Sequence, residues 1–148
     1  MVSTATELLR MSQADLDELF RHSPSGDIPV GDTEGTVIVA PGTDLSGPAA
    51  RFAKWLAWRG KVFDPRSKTL ANKITAFDIH AIKAQVYKAT SWFDGQEAII
   101  LDYSRKSVVA HRIRDEIREV GPGLYLGQVF LGRARVLNFA LTARNTAR

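Results

Sequence analysis

The strongest constraint on the fold is the Asp94-Gly95 pair, which lies between two segments of alternating apolar and polar residues. These segments read DIHAIKAQVYKATSW and EAIILDY. An Asp-Gly pair in this setting is the strongest short-range signal of a β-hairpin with a two-residue turn. With such a turn, Tyr87 would face Asp102 across the two strands. The sequence therefore predicts an antiparallel pair of strands between Asp78 and Tyr103.

The two faces of this hairpin can be separated because side chains alternate along a strand. The face that we expect to be core carries His80, Ile82, Ala84, Val86, Ile99, Leu101 and Tyr103. The opposite face carries Lys83, Gln85, Tyr87, Ala98, Ile100 and Asp102. A shift of one residue would exchange the faces, so this assignment depends on the register of the hairpin.

Three segments have the spacing of amphipathic helices. Ser12 is a predicted N-cap for a helix that ends before Pro24, and Pro48 and Gly60 bound a second helix. In residues 104–123, four apolar side chains recur at helical spacing before the Gly121-Pro122 stop, namely Val109, Ile113, Ile117 and Val120. The charged side chains of this third helix would form ordinary surface pairs, such as Arg112 with Glu116 and Asp115 with Arg118.

A second hairpin is predicted across Gly132-Arg133. One face is large and apolar apart from Gln128, with Leu124, Leu126, Phe130, Leu137, Phe139 and Leu141. The other face is small, with Tyr125, Gly127, Val129, Ala134, Val136, Asn138 and Ala140. Small side chains on a strand leave room either for a packed helix or for a ligand. Both alternatives stay open at this stage.

These elements predict one domain over residues 1–148, with flexible ends at 1–11 and 143–148. The fold class is mainly β (α+β). We expect an antiparallel calycin-like β-barrel with an N-terminal helix, a helix after the first strand and a helix before the last hairpin. A barrel is favoured over a sandwich because closure removes exposed strand edges.

Composition limits the chemistry. The chain has no cysteine, which excludes disulfides, thiolate metal sites and cysteine nucleophiles. It has only three histidines. No signal peptide or membrane-length apolar run is visible, so we expect a cytoplasmic protein with no metal and no cofactor. Residues 1–50 carry two basic and eight acidic side chains, whereas residues 51–88 carry nine basic and two acidic ones. This asymmetry fits an anionic partner, or an acidic segment that lies across a basic one.

Candidate catalytic residues come from the central hairpin, and they are Asp102, Tyr103, Tyr87 and His80. Asp102 enclosed by apolar strands would have a raised pKa and could act as a general base, with a tyrosine as proton donor. The alternative is that Asp102 caps the turn at Ser104, which is common for Asp near a strand end. The sequence contains no GxxxxGK phosphate-binding loop and no glycine-rich dinucleotide-binding turn. It also contains no GxSxG nucleophile elbow and no HExxH zinc-binding helix.

Candidate ligand-binding residues are apolar, aromatic or amide side chains near the expected cavity, namely Trp55, Phe63, Asn72, Tyr125, Gln128 and Asn138. The helix that contains Trp55 would control entry. The segment ARFAKWLAWRGK also alternates tryptophan with basic residues, a pattern of membrane-surface helices and of single-strand nucleic-acid platforms. Nucleic acid is disfavoured because no known binding motif accompanies it.

Several segments are similar to recurrent segments of an uncharacterised group of bacterial proteins of about this length. They are IPVGDTEGTVIVAPGT, WRGKVFDP, LDYS and RDEIREVGPGLYLG. The element order over residues 35–142 also resembles that of the calycins, which comprise lipocalins and fatty-acid-binding proteins. That resemblance implies a barrel that holds a small apolar ligand, with the helix after the first strand as a lid. The glycine-x-tryptophan motif of lipocalins does not occur at GTVIVA.

Two functions follow as hypotheses. The favoured one is non-enzymatic binding of a small apolar or amphipathic molecule in the barrel cavity. The other is an isomerase, cyclase or hydrolase of a similar substrate, with Asp102 as general base. A homodimer is compatible with either.

Overall fold

The computed structural model describes residues 4–38, 47, 61–72, 83–104 and 111–143. Within these ranges, helices α1 (Ala5–Leu9) and α2 (Gln13–His22) precede eight strands. The strands are β1 (Gly31–Ile38), β2 (Lys61–Asp64), β3 (Thr69–Asn72), β4 (Lys83–Thr90), β5 (Glu97–Asp102), β6 (Ile113–Gly121), β7 (Leu124–Leu131) and β8 (Ala134–Ala143). Each strand pairs antiparallel with the next, and β8 pairs with β1 to close a barrel. The prediction of a mainly β, antiparallel barrel is confirmed.

The N-terminal helices form where their capping residues indicate. The Ser12 hydroxyl accepts a hydrogen bond from the Asp15 backbone N–H at 3.1 Å, which satisfies one free donor of α2. Residues 4–11, which belong to the N-terminal segment that the sequence predicts to be flexible, include α1. This helix begins with a capping box between Thr4 and Glu7 and buries Leu8 completely.

Two apolar layers hold the fold together, one inside the barrel and one outside it. The inner layer contains Phe63, Leu70, Ala84, Val86, Ile99, Leu101, Tyr103, Ile113, Ile117, Tyr125, Val129, Leu137, Phe139 and Leu141. The outer layer contains Leu8, Leu16, Phe20, Ile38, Ala98, Ile100, Val120, Leu124, Leu126 and Ala140. Strands β5 to β8 are therefore buried on both faces, because the two helices cover their outer side.

The predicted helix over residues 104–123 is wrong from Ile113 onward, because Ile113–Gly121 is strand β6. Its inward side chains include Ile113 and Ile117, whose four-residue spacing suits a helix and a strand equally. The outward side chains include Glu116 and Arg118, which are buried against neighbouring segments instead of facing water. The expected surface pairs therefore do not form along this segment; residues 105–110 lie outside the described part.

The β4–β5 hairpin forms, but its register differs from the predicted one by two residues. Tyr87 pairs with Ile100, and Gln85 pairs with Asp102. The connection is a six-residue loop, Ser91 to Gln96, in which the Ser91 N–H donates to the Gln96 carbonyl at 2.8 Å. A shift of two residues keeps every side chain on its predicted face, so the assignment of Val86, Ile99, Leu101 and Tyr103 to the core is correct.

The β7–β8 hairpin has the predicted two-residue turn, with Leu131 paired to Ala134. A bulge beside Val129 and Phe130 then moves the register of β8 by one residue. The predicted faces of β8 are consequently exchanged beyond this point. Leu137, Phe139 and Leu141 point inward with Tyr125, Gly127 and Val129, whereas Asn138 and Ala140 point outward.

Residues 23–30, here called the linker, cross one end of the barrel between α2 and β1. The Ser25 hydroxyl donates to the Glu97 carboxylate at 2.7 Å, and the Asp27 N–H donates to the Glu119 carboxylate at 3.2 Å. The Tyr125 hydroxyl donates to the Asp27 carbonyl from inside the barrel. The linker is thus attached to β5, β6 and β7.

The predicted helix from Pro48 to Gly60 lies outside the described residues, as does His80. Among the helices that the structure does describe, none combines the length and apolar character that a membrane crossing requires.

Candidate functional site

A pocket of about 360 Å³ opens at the linker end of the barrel, and we call it the mouth pocket. Phe63 and Val86 line it and also belong to the inner apolar layer. The linker supplies Ile28, Pro29 and Val30, and the cationic side chains are Lys68 and Lys88. The pocket therefore has apolar walls that continue into the barrel core and positive charge at its opening.

The β2–β3 turn positions one of these cations. Lys68 has a left-handed backbone (φ 56°), and its carbonyl accepts a hydrogen bond from the Val86 N–H at 2.8 Å. Asp64, the acidic residue of the pocket, accepts hydrogen bonds from residues of the same turn. The bond from the Arg66 N–H has the larger effect and the bond from the Ser67 hydroxyl a smaller one, and both lower the pKa of Asp64. In the described part of the chain, neither Lys68 nor Lys88 forms an ion pair.

A cluster of polar side chains lies inside the barrel, and we call Lys61, Tyr103 and Asp115 the interior cluster. The Lys61 ammonium nitrogen Nζ donates to the Tyr103 hydroxyl at 2.9 Å and lies 3.8 Å from Asp115 Oδ2. Lys61 and Tyr103 are 0% exposed and Asp115 is 2% exposed. Thr33 supports the backbone of Lys61, because its hydroxyl bonds both the N–H and the carbonyl of that residue.

Burial dominates the electrostatics of the interior cluster. It lowers the pKa of Lys61, and the opposing attraction of Asp115 is smaller. Burial likewise raises the pKa of Asp115 to about 6 against the attraction of Lys61. In the part of the chain that the structure describes, the second oxygen of Asp115, Oδ1, accepts no hydrogen bond. Burial thus favours the neutral forms of both Lys61 and Asp115.

The raised pKa of Asp115 predicts a pH-dependent stability. Because the folded-state pKa exceeds the ordinary value of 3.8, protonation of Asp115 favours the folded state. This contribution is complete below about pH 4 and is lost as the pH rises through about 6. We expect wild type to lose stability relative to Asp115→Asn across that window, as measured by urea unfolding at a series of pH values. A difference that is constant with pH would contradict the assignment.

The predicted catalytic residues are divided between the two sides of the barrel wall. Asp102 lies on the outer side, where it accepts hydrogen bonds from Tyr87 at 2.7 Å and from the Ser104 hydroxyl at 2.6 Å. Burial alone would raise the pKa of Asp102, but these hydrogen bonds outweigh it and lower the pKa. Asp102 therefore stays ionised and caps the turn at Ser104, while Tyr103 points inward to Lys61.

The predicted ligand-binding residues are also separated. Phe63 lines the mouth pocket, and Tyr125 lies inside the barrel beneath the linker. Gln128 and Asn138 point outward and are buried, and Asn138 Nδ2 donates to the Gly127 carbonyl at 3.2 Å. The Gln128 amide makes no hydrogen bond within the described ranges. Trp55 and the side chain of Asn72 fall outside the described part.

Sequence reasoning missed Lys61 and Asp115. Lys61 was counted in the basic middle segment, and Asp115 was assigned to a helix surface pair. One signal was present, because Lys61 lies two residues before the inward Phe63 and must therefore share its side of the strand. No corresponding signal marks Asp115, whose inward direction follows only from the assignment of β6 as a strand.

Comparison with models of protein families and with curated proteins gives no match to this chain. Among solved structures, the chain is similar to the crystal structure of a protein from Thermomonospora curvata, with a TM-score of 0.58 and 18% sequence identity. The match covers 91% of this chain and 89% of that protein. At this level of identity the likeness concerns the fold alone. It supports the closed antiparallel barrel that the described strands form.

Proposed function

We propose that this protein binds a small amphipathic molecule at the mouth of its barrel, in the manner of the calycins. The apolar part of the ligand lies in the mouth pocket against Phe63 and Val86. An anionic group of the ligand lies at the opening, close to Lys68 and Lys88. The observation that carries the proposal is a pocket with apolar walls and two cations that have no described ionic partner.

The size and composition of the pocket support binding. Ligand pockets typically measure about 300–1,000 Å³ and are mostly apolar with a few polar groups that fix orientation. The mouth pocket, at about 360 Å³, lies at the lower end of that range. Ile28 and Val30 of the linker are 36% and 53% exposed, so apolar surface faces water there. Its burial by a ligand would be favourable by roughly 25 cal/mol per Å².

The electrostatics support an anionic rather than a cationic group on the ligand. Lys88 follows Val86 on the same side of β4, which directs it toward the end of the barrel. Asp64 is nearby, but its carboxylate already accepts hydrogen bonds from Arg66 and Ser67 within the turn. A carboxylate, sulfate or phosphate ester at the opening would offset the two lysine charges.

A charge placed in the apolar wall should weaken binding. We expect Val30→Glu to weaken binding of a fatty acid probe by tenfold or more, which corresponds to about 1.4 kcal/mol, because a carboxylate would be desolvated in the pocket. Val62→Glu is the matched control, since Val62 is 43% exposed but does not line the pocket. Native mass spectrometry and tryptophan fluorescence titration would measure both. Equal affinity of the two variants, or no binding by wild type to any lipid of a mixed panel, would refute the proposal.

The two lysines should determine the preference for an anionic group. We expect Lys68→Met/Lys88→Met to reduce affinity for a fatty acid several-fold while leaving affinity for the matching alcohol unchanged. Lys83→Met is the control, because Lys83 is an exposed residue of β4 outside the pocket. A parallel loss for the acid and the alcohol would show that the lysines do not contact the ligand head group.

Catalysis with Asp102 as general base gains no support from the geometry. The Asp102 carboxylate lies on the outer side of the wall, and its pKa is lowered. Inside the barrel, the interior cluster brings together three groups that can donate or accept a proton.

A further inference from the structure

We propose that Lys61 is a reactive amine that forms an imine with the carbonyl group of a small apolar aldehyde or ketone. This inference rests on the proposed function in one respect, since the carbonyl compound is taken to enter through the mouth pocket. It also gives the interior cluster a chemical role that ligand binding alone does not require. Tyr103 and Asp115 are the groups that assist Lys61.

The surroundings of Lys61 are those of an activated amine. The Nζ atom lies 2.9 Å from the Tyr103 hydroxyl and 3.8 Å from Asp115 Oδ2. The ring centroids of Tyr103 and Phe139 are 5.6 and 5.7 Å away, so aromatic rings surround the nitrogen. A lysine in such surroundings holds its proton less firmly than one in water, and the neutral amine is the nucleophilic form.

The mouth pocket leads toward this amine. Lys61 and Phe63 share the inward side of β2, and two residues along a strand span about 7 Å. Phe63 lines the mouth pocket and belongs, with Tyr103, to the inner layer. On this inference a carbonyl compound held in the mouth pocket reaches Nζ past the Phe63 side chain. A change in the rotamer of Phe63 would bring the two together.

The chemistry balances without a further reactant. The neutral Lys61 amine attacks the carbonyl carbon, a C–N bond forms, and the π electrons of the C=O bond pass to oxygen; a proton then moves from nitrogen to that oxygen to give a carbinolamine. The C–O bond breaks as the Tyr103 hydroxyl donates a proton to the departing hydroxyl group, and the second proton lost by nitrogen restores the tyrosine. The products are the imine and one water molecule. If the imine is protonated, Asp115 lies beside the resulting cation, as it does beside the ammonium group.

Stability alone does not explain the cluster. Replacing a buried ion pair by apolar residues of similar volume is often neutral or stabilising. Apolar side chains of the same inner layer include Ile113, Ile117 and Phe139. A lysine and an aspartate buried in such a layer carry a desolvation cost, and a chemical role would account for their presence.

Reductive trapping tests the inference on the full chain. The protein is incubated with hexanal and sodium cyanoborohydride at neutral pH, and alkylation is measured at each lysine by peptide mass spectrometry. We expect Lys61 to be alkylated several-fold faster than the exposed Lys83, because burial lowers the pKa of Lys61 and leaves more of its amine in the neutral, nucleophilic form. Phe63→Ala should accelerate trapping at Lys61 because it opens the route. Alkylation of Lys61 that is no faster than that of Lys83, in wild type and in Phe63→Ala alike, would overturn the inference.

Two further variants separate chemistry from folding and from simple binding. Tyr103→Phe keeps the ring, so we expect a folded protein in which trapping at Lys61 is several-fold slower while alkylation of Lys83 is unchanged. Unchanged trapping at Lys61 would refute the role of the hydroxyl. Fatty acid binding that occurs without any trapping at Lys61 would defeat this inference and leave the proposed function intact. Trapping that Val30→Glu does not affect would instead remove the mouth pocket as the route.

Discussion

Replacement of Arg118 by methionine is expected to lower the free energy of unfolding by about 3–5 kcal/mol, the usual cost of removing one partner of a buried ion pair. The Arg118 side chain is 1% exposed and donates two hydrogen bonds of 2.7 Å to the Asp94 carboxylate. It also donates to the carbonyls of Phe20 and Glu97, at 2.7 and 3.0 Å. These bonds join the end of α2, the β4–β5 loop and strand β6 through one side chain.

Methionine retains the unbranched chain but provides no donor, so the Asp94 carboxylate and two carbonyls would lose their partner together. Arg135→Met is the matched control. Arg135 also joins α2 to the barrel, by a 2.7 Å bond to Asp17, but its side chain is 25% exposed. We expect the control to cost about 1 kcal/mol or less, since solvent screens a more exposed pair. Chemical denaturation would measure both variants, and equal losses would show that burial does not govern the effect.

A valine at Gly127 is expected to destabilise the barrel by about 3 kcal/mol, the upper part of the usual range for overpacking a core. Gly127 lies inside the barrel on β7, directly opposite Phe139 on β8. The ring of Phe139 occupies the space that a Cβ atom at residue 127 would need. Gly127 therefore allows the far end of the Phe139 ring to approach the backbone of β7 closely, as glycine often does.

A double-mutant cycle separates this clash from the loss of glycine flexibility. Phe139→Leu removes the ring, so Gly127→Val should cost much less in the Phe139→Leu background than in wild type. Thermal and urea unfolding of the four proteins would give the interaction energy. Additive effects of the two substitutions would mean that the ring moves aside at little cost, which would contradict tight packing at this position.

Local chemistry made part of the fold predictable. The cap of α2 at Ser12, the two antiparallel hairpins and the inward face of β4 and β5 all depend on residues close in sequence. The register error in the β4–β5 hairpin did not alter its faces, because the shift was an even number of residues. The same even shift leaves Tyr87 and Asp102 on one face of the hairpin, where the Tyr87 hydroxyl donates to the Asp102 carboxylate although the two residues are not directly paired.

Tertiary contacts decided the identity of β6. Taken alone, its charged residues predict a solvent-exposed helix. Their burial in a strand is explained only by partners from distant segments. Glu116 accepts hydrogen bonds from Ser91 and from the Trp92 N–H, and Arg118 binds Asp94. These partners let the strand bury charged side chains on its outer face, which no periodicity within residues 104–123 could indicate.

By itself, the sequence determined an antiparallel β protein with a capped N-terminal helix, because alternation, turn residues and caps act over a few residues. The tertiary structure alone decided the closure of eight strands, the exchange of faces at the β8 bulge and the meeting of Lys61, Tyr103 and Asp115. The three residues of that cluster come from strands or strand ends far apart in the chain. Only barrel closure, which depends on non-local pairing, places them within hydrogen-bond or ion-pair distance.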